Sequence, residues 1–280
     1  MLALLKRNFL LYFRNRSGVF FSLLGALISF VLYIIFLQKN LTDAWAQLPN
    51  SGPVLNNWLM SGTLAVTGIT TSLAALTQLV KDREHQVDQD LYLSDQGKWR
   101  LPFSYLTSAI IISFFMQALM CVLMCGYFRE VPTLSLLPEV LLIMLLSSLL
   151  SSLVNAIFVY FFHSVDSLGK FSTIVGTASG FLVGTYVPLG VLPDFAQLLM
   201  KCTPATYIAA LYRQVLMKEA VSETFKGRDD LLREFQEKMG VQLKWQALLT
   251  KEQTYLIVLG GILLALGIWV SLAKRSNKRK

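Results

Sequence analysis

Charge is what this 280-residue sequence has least of. Only 15% of its residues are Asp, Glu, Lys or Arg, 54% are hydrophobic, and the mean hydropathy is +0.54. Soluble domains carry roughly a quarter charged residues, so the composition argues for a membrane protein. Cysteine is also scarce. Cys121 and Cys125 lie one helical turn apart inside an apolar run and Cys202 stands alone, which reads as small buried hydrophobes plus a free thiol rather than a disulfide scaffold. Neither His85 nor His163 has a metal-ligand neighbour at a useful spacing. Three catalytic patterns are missing: the Gly-x-Ser-x-Gly elbow, the His-Glu-x-x-His pair and the phosphate-binding loop. Gly169-Lys170 is followed by Phe171 and lacks the preceding glycine. The chain is therefore not expected to be an enzyme or to hydrolyse nucleotide by itself.

What is present are long apolar runs. A spanning helix needs about 20 apolar residues to cross a hydrocarbon core of roughly 30 Å. Six runs qualify: Val19–Leu37, Trp58–Val80, Phe103–Tyr127, Val140–Phe162, Phe171–Leu192 and Tyr255–Ala273. None contains Asp, Glu, Lys, Arg or His. Proton- and sodium-driven transporters need ionisable groups at membrane depth, so any transport here draws its energy from outside the bilayer. The predicted fold class is all-α: six transmembrane helices, an N-terminal interfacial helix and a small extracellular module before the last helix.

The expected organisation runs as follows. Residues 1–17 form an amphipathic interfacial helix, with Leu2, Leu5, Phe9, Tyr12 and Phe13 on one face and Arg7, Arg14 and Asn15 roughly opposite. A cleaved signal peptide is the competing reading, since Ala44-Trp45-Ala46 resembles a cleavage site, but the apolar run is too long for one. Residues 18–192 hold the first five spans, 253–273 the sixth and 274–280 a basic tail. The net charge of +8 is distributed at the ends of the runs rather than in one patch, which speaks for topology and not for nucleic acid. Lys6, Arg7, Arg14, Arg16, Lys81, Arg83, Lys98, Arg100, Lys170 and the tail place both termini in the cytosol of a multi-pass plasma-membrane protein. Only Lys39 and Arg129 fall in the short outer loops. Residues 193–252 are expected outside, first as short re-entrant helices in the outer leaflet and then as a module from about 218 to 250. Leu231, Phe235 and Met239 predict a helix there that ends at Gly240, and the alternation Val241, Leu243, Trp245 suggests a strand.

Several runs carry uncharged polar or small faces: Thr63, Thr67 and Thr70; Ser148, Ser152 and Asn155; Gly176, Gly180 and Gly184. These suit helix packing, and they equally suit the lining of a substrate path. The densest polar block is Lys81–Arg100, with nine charges in twenty residues, five of them acidic. Topology alone needs only Lys and Arg, so the acids point to contact with another protein.

The order of these features resembles the type-2 ABC (ATP-binding-cassette) exporter permease family. Its charged stretch often reads Asp-Arg-Glu-x-Gly-x4-Leu followed by Ser/Thr-Pro. Here Asp82-Arg83-Glu84, Leu91 and Ser94 match, while Gln86 and Asp95 depart. After the fifth span the family tends to show Pro-x3-Leu-Pro, then Asn-Pro-x-x-Tyr and an arginine. Pro188, Leu192, Pro193, Pro204, Tyr207 and Arg213 fit, with Thr203 in place of asparagine.

The resemblance implies a half-transporter that pairs with an identical or similar permease and takes two copies of a cytosolic ABC ATPase, which bind the ATP and magnesium. It also implies ATPase coupling through the N-terminal helix (Lys6, Arg7, Arg14, Arg16) and through stretch 81–101 (Asp82, Arg83, Glu84, Val87, Leu91). The expected cargo is amphipathic: a drug, a peptide toxin or a lipid-like molecule. The alternative is a non-transporting scaffold or immunity protein that binds a ligand through its outer module.

Overall fold

A computed structural model describes residues 1–45, 51–93 and 97–279, with the side chains of 92–98 and 276–279 outside the description. Helix dominates, and no strand occurs among the described residues. Five helices are long and apolar enough to cross a membrane: Arg16–Ala44, Ser51–Glu84, Trp99–Phe128, Leu137–Val159 and Lys251–Arg275.

In chain order, α1 is Leu2–Arg14, followed by α2 (Arg16–Leu32), which continues through a π turn at Tyr33–Leu37 into α3 (Gln38–Ala44). The long α4 (Ser51–Glu84) leads to a short α5 (Val87–Leu93), then α6 (Gly97–Phe128), α7 (Leu137–Val159) and α8 (Val165–Leu182). Four short helices follow: α9 (Asp194–Lys201), α10 (Pro204–Leu216), α11 (Lys218–Thr224) and α12 (Asp229–Lys238). The long α13 (Lys251–Arg279) closes the fold.

Helix α4 is the axis of the bundle. Of its most apolar window 83% is buried, against 22% for α13. It can be surrounded because small polar residues punctuate its buried leucines and Trp58. Thr63, Thr67, Thr71 and Ser72 are fully buried, and most of their hydroxyls turn back to backbone carbonyls, as Thr67 does to Thr63 at 2.8 Å and Ser72 to Gly68 at 2.7 Å. Large side chains on the peripheral helices point away instead. Ile35 of the α2–α3 rod and Leu263 and Leu264 of α13 are all well exposed, as a lipid-facing surface requires.

The fifth expected span differs from its prediction. Helix α8 starts six residues before Phe171 and stops at Leu182, ten residues short of Leu192. It has 18 residues with Asp166 and Lys170 near its start, and it falls short of the length and apolarity that the other five reach. Its end is set by the turn at Gly184 (φ +71°), a left-handed conformation that closes helices at little cost only when no Cβ is present. The expected strand near Val241 is likewise absent as an element. Val241 and Leu243 are buried, but Trp245 is exposed like Lys244, so the alternation stops after two residues, and the bridge that forms there is an isolated one between Lys244 and Leu248.

Beyond α8 the chain takes the α9–α12 path across the bundle end where α4 begins. Pro193 and Thr203 precede α9 and α10, with Pro204 as the first residue of α10. Helix α12 opens on Asp229 and Asp230 and ends on Lys238, charges that complement the helix dipole. Phe235 of α12 is fully buried and belongs to the main core with Trp58, Tyr212 and Met239, so this module shares the core of the bundle. That sharing is what a segment too small to hold its own core needs.

Candidate functional site: a charged junction and a groove

Asp82 lies in the last turn of α4 and is 3% exposed. An ionised carboxylate at that depth needs every lone pair used. Arg7 reaches over from α1 and donates twice, Nη1 to Oδ2 at 2.7 Å and Nη2 to Oδ1 at 2.9 Å. Gln78 Nε2, one turn earlier on α4, donates to Oδ1 at 2.7 Å, and the Tyr105 hydroxyl of α6 donates to Oδ2. Asn8, beside Arg7, donates to Ser108 Oγ on α6 at 3.3 Å. The hydrogen bonds of Arg7 to Asp82 and the negative charge of that carboxylate hold the Arg7 guanidinium above its ordinary pKa.

The next two residues reach other helices. Arg83 Nη1 donates to the carbonyls of Tyr160 and Phe162 at 3.3 and 2.8 Å, just past the end of α7. That satisfies carbonyls a helix end leaves open. Glu84 Oε2 accepts the backbone N–H of Val165 at 2.9 Å, at the first residue of α8, where helix polarity favours a carboxylate. Three consecutive side chains thus fasten the end of α4 to α1 and α6, to the end of α7 and to the start of α8. Gln86 follows at φ +60°, turning the chain from α4 into α5, where Val87 is half-buried and Leu91 packs on a second core cluster with Leu4, Tyr105 and Trp269.

The expected coupling set is therefore split. Arg7, Asp82, Arg83 and Glu84 meet in this junction, whereas Lys6, Arg14 and Arg16 stay exposed. Ser94 and Asp95 lie outside the described residues. Gln78, Tyr105, Asn8 and Ser108 were not anticipated. Only Gln78 carried a sequence signal, its spacing of four residues from Asp82.

The polar faces also divide. Thr63, Thr67, Ser148, Ser152 and Asn155 are buried between helices. Asn155 Nδ2 donates to the Ile69 carbonyl at 2.9 Å and Ser72 Oγ at 2.8 Å, tying α7 to α4. Gln117 of α6, not foreseen, joins three helices: its Nε2 donates to Ser148 Oγ and its Oε1 accepts the Tyr212 hydroxyl, each at 2.8 Å. Thr70 and Gly176, in contrast, line a groove of about 760 Å³ between α2, α4 and α8. Its walls are apolar, from Ile28 and Phe36 among others, with hydroxyls from Thr70, Thr77, Thr173 and Thr177. The glycine stripe does not run along one helix. Gly176 faces the groove, Gly180 lies under the Tyr186 ring, and Gly184 sits in the turn beyond the helix.

At the other end of the bundle the proline motif builds a turn. Pro188 precedes a 3-10 turn at Leu189–Val191, and Leu192-Pro193 leads extended into α9. Tyr207 donates to the Lys201 carbonyl at 2.8 Å and accepts from Trp245 Nε1 at 3.1 Å. Arg213, 1% exposed, finds carbonyls only: Gly184 at 2.8 Å, Val183 at 3.2 Å and Gly240 at 3.1 Å. Its guanidinium lies 5.1 Å above the Trp58 ring, a cation–π contact.

The family model described as ABC-2 family transporter protein matches residues 35–269, a span that includes Asp82-Arg83-Glu84, the groove wall on α4 and α8, and Arg213. Comparison with the curated proteins finds no match.

Proposed function

Because the chain belongs to the ABC-2 family of transporter proteins, and so is a multi-pass membrane permease subunit of an ABC transporter, we propose that it is the membrane half of an ATP-driven exporter. A separate cytosolic ATPase, in two copies, supplies ATP and magnesium chemistry. A second permease, identical or similar, pairs with this one. In this reading α8 completes six spans, both termini are cytosolic, the Asp82 end of the bundle faces the ATPase and the α9–α12 module faces outward.

The observation that carries the reading is the junction at the end of α4. Motion of a soluble ATPase reaches a membrane path only through elements stiff enough to transmit it. Asp82, Arg83 and Glu84 bind four other helices at one point. One of them, α8, is a wall of the groove, and α4 is another. The exposed docking surface is then the residues around this junction, Lys6, Arg14 and Arg16 with the exposed side of α5, while Asp82 acts behind that surface.

The groove supports the path. Its apolar walls and the few hydroxyls contributed by α4 and α8 suit an amphipathic cargo such as a drug, peptide toxin or lipid-like molecule. A second permease set against the α2–α8 face would turn an open groove into an enclosed route. A ligand-binding scaffold is the weaker reading, since Phe235, Met239, Val241 and Leu243 of the module turn inward to the core.

The test is copurification and turnover. Expressed with candidate ABC ATPases, the chain should come out of detergent as a complex whose ATP hydrolysis responds to cargo. A permease that purifies alone under every pairing, yet binds a ligand through residues 218–250, would support the scaffold instead.

A further inference from the structure

Residues 218–250 make contacts that helix packing alone does not explain. On one side they are held by α4 and α10 and, through Arg213 and Gly190, by the turn after α8. Trp58 Nε1 donates to the Met239 carbonyl at 2.7 Å, Arg213 to the Gly240 carbonyl at 3.1 Å and Gln214 Nε2 to the Val241 carbonyl at 3.0 Å. The other guanidinium nitrogen of Arg213 holds Val183 and Gly184. The backbones also meet directly, since a Cβ on Gly190 would stand 2.6 Å from the Lys238 Cα. Two residues beyond Gly184, Tyr186 covers Gly180 and lines the groove.

On the other side the module meets α3. The Phe235 ring, fully buried, takes the Trp45 ring edge-on at 5.0 Å and 71°. Trp45 follows the last residue of α3, which runs back without a break to Phe36 and Leu37, and both of those line the groove. One small module therefore touches the chain just beyond both flanks of the groove, past Leu37 on one side and around residues 184–190 on the other.

We propose that this module is a strap across the outer mouth of the groove, with Trp45, Phe235 and Arg213 as positioning residues. They set the spacing between α3 and the turn at 183–190, and so the width of the mouth through which cargo leaves. The proposal rests on reading the groove as the transport path. The two attachments are unequal. The α8 flank is held by buried hydrogen bonds and a backbone contact, the α3 flank by one aromatic edge. Widening of the mouth begins where Trp45 leaves Phe235.

Hydrogen–deuterium exchange on the purified full-length permease tests the linkage without any transport assay. Trp45→Ala should raise exchange by about threefold to tenfold in α12 and, through Met239, Gly240 and Arg213, also across 183–190. Trp45→Phe, which keeps a ring edge, should restore protection at both places. A rise confined to α12, with 183–190 unchanged, overturns the strap, because a purely local packing role stops there. Trp45→Leu carries the same comparison if the alanine variant does not fold. In a complex with the ATPase, Trp45→Ala should export less cargo per ATP hydrolysed while hydrolysis continues. Failure to find any ATPase partner would refute the exporter reading and leave the exchange result to decide the strap.

Discussion

The Arg7 guanidinium and the Asp82 carboxylate, 75 positions apart in the chain, meet as a two-pronged pair at 2.7 and 2.9 Å. Arg7 keeps partial contact with solvent while Asp82 is closed off, with side-chain exposures of 30% and 4%. The pair is thus a graft of α1 onto the core of the bundle. Asp82→Ala leaves Gln78, Tyr105 and a half-buried arginine without their acceptor and should cost about 2–4 kcal/mol. Asp82→Leu combined with Arg7→Met should recover part of that loss. Thermal unfolding of both single variants and the double variant in detergent gives the coupling between the two positions.

Gln86 occupies the left-handed region at φ +60°. Where the resembled family places glycine, this chain pays for a side chain. Gln86→Gly should stabilise the protein by roughly 1 kcal/mol, and a β-branched residue such as Val should destabilise it by at least as much. The shift in melting temperature is the readout.

Gln117 satisfies both the Tyr212 hydroxyl and Ser148 in the middle of the bundle. Gln117→Leu should therefore cost about 1–3 kcal/mol through the orphaned Tyr212 hydroxyl. Adding Tyr212→Phe should return much of it, because the unpaired group is then gone. Denaturation of the two variants side by side checks the order.

Gly176 faces the groove, and a Cβ there would meet nothing within 4 Å. Gly176→Phe should fold as the parent does, since its Cβ enters open space and a helical glycine is replaced at no loss in propensity. It should nevertheless reduce export at least about tenfold by filling the path. Export from inverted vesicles, set beside ATP hydrolysis by the same complex, separates blockage from misfolding.

The spans were legible because their physics is local: a run of about 20 uncharged apolar residues has few fates other than a membrane helix. The end of α8 was not. Pro188 marks a break near the outer end of the run, but the helix stops earlier, at Leu182, where Gly184 and hydrogen bonds from Arg213, some thirty residues later, impose the turn. Asp82 shows the same limit. Its place in a charged stretch suggested a residue turned toward a partner, and only the fold brings Arg7 and Tyr105 to it. The alternation from Val241 recorded burial at Val241 and Leu243 but not at the exposed Trp245, and among the described residues no neighbouring strand lies beside it to complete a ladder. Thr70 on the groove and Thr63 and Thr67 in the packing are the same residue type, so composition alone does not sort path from packing.

Glu84 offers the most direct test of the claim that the end of α4 carries motion into the groove wall. Its carboxylate holds the first N–H of α8. With the ATPase partner bound, Glu84→Ala should leave complex formation and basal hydrolysis intact but lower export per ATP by about fivefold or more, the weight of one lost helix cap, with Glu84→Gln in between. The measurement is cargo exported per ATP consumed in reconstituted vesicles. Equal ratios for wild type and Glu84→Ala, in a complex that assembles normally, would contradict the account.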